Sequence, residues 1–127
     1  MKTKVLNKST IVAAVIAFLV WGAWAFHINY LSGDLLVGLR SGITQGLYSA
    51  AMTIYFSISV LYIYKRVMQN KLWFLFPAMG TVGHTGLILT AIHYFNGTPE
   101  ILKTVSLPLT AAFLYCIFVT TQFRKSL

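Results

Sequence analysis

The chain has 127 residues, of which 57% are apolar and only 9% charged, and its mean hydropathy is +0.74. Ordinary soluble domains carry roughly 25% charged residues, so this composition excludes one and indicates an integral membrane protein. The net charge of +8 does not indicate a nucleic-acid binder, because the cations sit at the ends of apolar runs and not along a solvated stripe.

Four hydrophobic spans are expected, over residues 11–31, 40–64, 72–95 and 104–123, in one transmembrane domain covering 1–127. Each is close to the roughly 20 residues that cross a bilayer as a helix. The first follows Lys2, Lys4 and Lys8. Its run continues through Phe26 and Ile28, past the small-x-small site at Ala23-Trp24-Ala25, which argues for a retained span and against a cleaved signal peptide. Ser32-Gly33-Asp34 breaks the chain before the second span, which begins polar and becomes apolar after Ala50. Lys65, Arg66 and Lys71 form a central elbow. The third span has Pro77 in its first turn, where the missing N–H costs little. Asn96-Gly97-Thr98-Pro99 signals the next turn, and Thr98, Pro99 and Glu100 read as N-cap, first-turn proline and dipole-matched acid of the fourth span. Pro108 should kink that span.

Charge sets the expected topology. Lys2, Lys4, Lys8, Lys65, Arg66, Lys71, Arg124 and Lys125 fall in the N-tail, the elbow and the C-tail, with no acid among them. The other two connections carry Arg40 and Lys103 against Asp34 and Glu100 and sum to zero. The positive-inside rule then predicts an all-α, four-helix polytopic protein made of two hairpins, with both termini cytoplasmic. Ile28-x-Tyr30-x-Ser32-Gly33 and Ile92-x-Tyr94-x-Asn96-Gly97 recur at a common offset, which permits a parallel internal repeat of the hairpins. Shared interface composition explains the same likeness.

The second span carries the most information. Gly38, Gly42, Gly46 and Ala50 recur every four residues, a pattern that lets another helix approach closely. Ser41, Gln45, Ser49 and Thr53 form a polar strip beside it, which serves either interhelical hydrogen bonding or a ligand path. Arg40, expected near the outer interface, offers a planar fork suited to phosphate, with Ser41, Gln45 and Lys103 as accompanying contacts. The alternative pairs Arg40 with Asp34 and Lys103 with Glu100, or leaves both cations facing water. His84, placed in mid-span, is an intramembrane polar site or a neutral hydrogen-bonded imidazole. Trp21 and Trp24 lie deep enough to line a lipid groove, while most other aromatics sit near interfaces. Cys116 is the lone cysteine, and no two histidines stand three or four residues apart, so no metal site is expected. No nucleophile motif surrounds Ser32 or Ser41, so neither catalysis nor a cofactor is expected.

The second hairpin resembles the GtrA-like family of small four-span membrane proteins. The resemblance rests on Trp73-Phe74-Leu75-Phe76 before Gly80, Thr81 and Gly83, then the turn with Pro99, then Leu107-Pro108-Leu109 and the ending Phe123-Arg124-Lys125. Tyr115 and Cys116 stand where such proteins usually carry an asparagine, so no family site residue is carried over. The resemblance implies a role in cell-surface polysaccharide assembly at the cell membrane, translocating or presenting a polyprenyl-phosphate-linked sugar, as a homo-oligomer or with a membrane glycosyltransferase. Two rival expectations are a non-catalytic subunit that docks onto a larger enzyme through its glycine strip, and a small-molecule efflux protein, which would need an intramembrane acid.

Overall fold

The fold is all-α, and helix ends fall where turn chemistry and capping put them. The computed structural model describes residues 8–126; Lys2 and Lys4 lie outside the described residues. Four helices follow in order: α1 (Lys8–Ser32), α2 (Leu35–Val67), α3 (Phe76–Phe95) and α4 (Ile101–Ser126). Asp34 caps α2, its side chain accepting from the Val37 N–H at 2.9 Å. Pro77 sits in the first turn of α3, so that helix begins at Phe76. The expected start at Leu72 is corrected: residues 72–75 form a turn closed by Leu75 N–H to Leu72 O at 2.9 Å.

The α3–α4 connection also departs from expectation. Gly97, at φ +67°, occupies the left-handed position that ends α3, with Gly97 N–H bonded to Tyr94 O and Thr98 N–H to His93 O. This pair of bonds is a Schellman arrangement. It turns the Thr98 hydroxyl inward to His93 and Ser41, and α4 starts only at Ile101. The acceptor at that helix start comes from another helix: Asn29 Oδ1 takes the Glu100 N–H at 3.1 Å.

Three of the four helices, α1, α2 and α4, are long and apolar enough to cross a membrane. The 20-residue α3 is diluted by His84, His93 and several Thr and Gly. At 1.5 Å per residue the 33-residue α2 is about 50 Å long, so it overreaches a hydrocarbon core of about 30 Å. Side chains are distributed inside out relative to a water-soluble bundle. Asn29, Gln45, Thr81, His93, Thr104 and Thr120 are fully buried, while Leu36, Leu87, Phe95 and Leu102 are more than 70% exposed. Such an exterior suits lipid, and the six buried polar residues just named find partners within the chain.

Helices α1 and α2 pack as an antiparallel hairpin through glycine. A Cβ on Gly22 would lie 3.0 Å from Gly42 O, and one on Gly42 would lie 2.9 Å from Gly22 O. Phe18 fills the space beside Gly46, and Phe26 and Tyr30 fill that beside Gly38. Backbones this close exchange dispersion contacts that larger residues would prevent. The strip is therefore occupied from within the chain by α1. The second hairpin joins through Phe56, Val60, Ala78 and Cys116, and through a Ser59–Thr81 hydroxyl bond of 2.9 Å.

The two hairpins are tied by a pair of buried polar residues in matching repeat positions. Asn29, near the end of α1, donates to Thr104 of α4 at 2.8 Å and to Ala25 O at 2.8 Å. His93, near the end of α3, bonds to Gln45 of α2 at 2.8 Å. Each hairpin's first helix thus reaches across to the other hairpin's second.

Candidate functional site

One end of the bundle carries Asp34 and Glu100, the other Lys65, Arg66, Lys71, Arg124 and Lys125. A buried hydrogen-bonded chain starts at the acidic end and runs inward. Gln45 Nε2 donates to Ser49 Oγ at 3.1 Å, which leaves its Oε1 as acceptor. His93 Nε2–H donates to that oxygen at 2.8 Å, so the neutral ring accepts at Nδ1 from the Thr98 hydroxyl, also at 2.8 Å. Thr98 in turn accepts from Ser41 at 3.3 Å. Ser41, Gln45 and His93 are sealed from solvent, and each side-chain polar atom of the run has a hydrogen-bond partner. Low local dielectric strengthens a fully satisfied chain and penalises a broken one.

Below Gln45 and Ser49 lies a cavity of about 280 Å³ to which all four helices contribute. Its walls include Ala17 and Trp21 of α1, Met52 and Phe56 of α2, Leu89 of α3, and Ala112 and Tyr115 of α4. Its polar side is formed by Gln45, Ser49, Thr53 and Thr85, the last with its carbonyl accepting from the Tyr48 hydroxyl. Small-molecule sites span roughly 300–1,000 Å³. At about 280 Å³ the cavity falls just below that range.

Arg40 stands exposed at the acidic end, its Nη2 3.4 Å from where a Cβ on Gly97 would be. No carboxylate of the described residues pairs with it; the one ion pair among them joins Lys103 Nζ to Glu100 at 3.1 Å. Asp34 Oδ1 caps α2, and the alternative Arg40–Asp34 pair is not formed. In the same turn as Gly97, Asn96 Nδ2 is the one buried side-chain polar atom of the described residues without a partner. Lys103 and Ser32 hydrogen-bond to Glu100 and hold its carboxyl below the usual carboxylate range. The Lys103 carbonyl receives the Trp24 indole N–H at 3.2 Å.

The other expected positions fall as follows. Ser41 and Gln45 lie in the buried chain, whereas Arg40 is next to it at the surface. Gly38, Gly42 and Gly46 face α1, and Ala50 is half-buried. His84 lies on the outward face of the bundle. Its Nδ1–H donates to Gly80 O at 2.6 Å, so Nε2 accepts from Tyr55 at 2.8 Å. Among the described residues no group of His, Cys, Asp and Glu could hold a metal. Sequence reasoning singled out neither His93 nor Asn29 as a site residue, though both lie inside the repeated Ile-x-Tyr motif. Nor did it supply Gly22 as the partner of the glycine strip.

Comparison of the chain with protein-family models, with curated proteins and with solved structures gives no match.

Proposed function

We propose that this chain is a four-span membrane protein, with both termini cytoplasmic, that binds a phosphate-headed lipid and helps translocate or present it. A polyprenyl-phosphate-linked sugar for surface polysaccharide synthesis is the substrate class suggested by the GtrA-like resemblance. The single observation that carries the reading is the position of Arg40, a guanidinium without a carboxylate partner, beside a buried polar chain that leads to a cavity shared by all four helices. Arg40 receives the phosphate, with the unspent Asn96 donor in the adjoining turn. Ser41, Gln45 and Ser49 offer neutral partners along the axis, and the cavity accommodates a segment of chain or sugar. Lys103 acts at one remove, because it is already paired with Glu100.

Charge supports the orientation: Lys65, Arg66, Lys71, Arg124 and Lys125 mark the cytoplasmic end. The rival docking role loses its surface, since α1 covers the glycine strip. The efflux reading lacks its acid, since Asp34 and Glu100 both stand outside the helices.

The test is retention of a synthetic polyprenyl phosphate by the purified protein in nanodiscs. Arg40→Gln should weaken retention about tenfold, the loss of one charge-assisted phosphate contact, with an unchanged Tm. Equal retention by both proteins sinks the site.

A further inference from the structure

At the basic end, the elbow between α2 and α3 meets the end of α4 around a second pocket, about 640 Å³ in volume, lined in part by Tyr64, Gln69, Asn70, Lys71, Trp73 and Arg124. We propose that this pocket binds the phosphate of an anionic lipid head group, at the opposite end of the bundle from Arg40 and independently of it.

The pocket is built of donors. Arg124 is held in place, with Nη1 donating to Met68 O at 2.9 Å and Cζ 4.8 Å from the centre of the Trp73 ring. That anchoring leaves the rest of the guanidinium fork free and reduces the entropy lost on binding. Asn70 Oδ1 accepts from the Leu72 N–H at 2.9 Å, which leaves its amide N–H groups as donors. Lys71 is exposed and belongs to no ion pair among the described residues. Tyr64 is the most telling member. It is only 1% exposed, packed against Trp73 and Phe123, yet its hydroxyl makes no hydrogen bond among the described residues. That hydroxyl is not among the sealed orphan atoms, so the accessible sliver of Tyr64 includes it. A buried phenol normally finds a partner, and here the open side is the pocket.

The ligand class follows from charge and surroundings. Lys65, Arg66, Lys71, Arg124 and Lys125 gather at this end, and both acids of the chain lie at the other. An anion with several acceptor oxygens satisfies Arg124, Lys71, Asn70 and Tyr64 together. Exposed Leu72, Phe74 and Phe76 continue from the same elbow and offer an apolar surface to a chain attached to that anion. Phosphate joined to hydrocarbon meets both features, whereas a free anion uses only the first.

Full-length protein in phosphatidylcholine nanodiscs, doped with dioleoyl phosphatidic acid and read by native mass spectrometry, tests the assignment. Phosphatidic acid should be retained over phosphatidylcholine. Lys71→Gln and Arg124→Gln should each lose about tenfold in affinity, and Tyr64→Phe about threefold for a neutral donor. Lys65→Gln, which removes a cation of the same end outside the pocket lining, should stay within about twofold. Lys71 lies in an exposed turn, so its variant reports on binding even where Arg124→Gln disturbs the end of α4. Equal losses for Lys65→Gln and Lys71→Gln would reduce the effect to diffuse surface charge and overturn the proposal. So would displacement of phosphatidic acid by an equal concentration of inorganic phosphate, which would assign the pocket to free phosphate.

Discussion

Gly42→Ala probes the contact on which the first hairpin depends. The added methyl would stand 2.9 Å from Gly22 O and 3.0 Å from Phe26 Cβ, both short of ordinary van der Waals contact at 3.4 Å and above. Neither obstacle can rotate away, because one is backbone and the other is the root of a side chain. The helices must part by about 0.5 Å, and a gap of that order forfeits about a quarter of the dispersion well for each atom pair along the seam. Overpacking of this kind costs about 1–3 kcal/mol. Alanine also gains up to about 1 kcal/mol in helix propensity over glycine, which would mask part of the loss. Gly83→Ala supplies the correction, since a Cβ there meets nothing within 4 Å. The difference between the two variants should then be about 1–3 kcal/mol, whatever the propensity gain in lipid. The assay is unfolding of purified protein in mixed micelles by titrated dodecyl sulfate, followed by circular dichroism. Midpoint energies agreeing within about 0.3 kcal/mol, the ordinary scatter of independent sites, would refute the claim that Gly22 and Gly42 set the interhelical distance.

Two further perturbations address the acidic end. Gln45→Leu leaves His93 Nε2–H buried without an acceptor, which should cost about 1–3 kcal/mol; adding His93→Leu should recover part of that loss in the same unfolding assay, and strict additivity would show that the bond is not formed. Glu100 has a folded-state pKa lowered by its hydrogen bonds to Lys103 and Ser32 and by the Lys103 charge. A depressed carboxylate contributes stability above its unfolded pKa and loses it as pH falls through the folded value. Tm should therefore drop on acidification below about pH 4.5, and Glu100→Gln should flatten that part of the profile. A slope that survives the substitution would move the effect elsewhere.

Local chemistry made the breaks between the helices legible. The break at Ser32-Gly33-Asp34, Pro77 in a first turn and the turn at Asn96-Gly97 follow from one residue and its immediate neighbours, whereas the Asp34 cap that starts α2 at Leu35, ahead of the expected residue 40, was not read. The glycine spacing on α2 announced a close approach, but its partner did not, since a single glycine in α1 has no period. Asn29 and His93 were harder still. Their partners, Thr104 and Gln45, stand 75 and 48 residues away in the chain. Their common place in the repeat was visible from the flanking isoleucine and tyrosine, while the polar residue between them varies in type and so escaped the pattern. Thr98 misled because its cap-like context holds for a helix that starts at once, whereas the Schellman turn delays α4 and frees the hydroxyl for His93.

Helix α1 has an uneven attachment. Along α2 it is seated by glycine, while Trp24 and Asn29 bond to α4, and Asn29 and Ser32 to Glu100 just before it, all from the last third of α1. Its earlier turns present Ala13 and Ala17 to the cavity, across from Ala111, Ala112 and Tyr115 of α4. The helix resembles a door leaf pinned at its top corner and along one jamb, with the small side chains of Ala13 and Ala17 turned to the cavity below. Side chains larger than alanine at positions 13 and 17 would take up the space between α1 and α4 and leave the polar chain above it untouched.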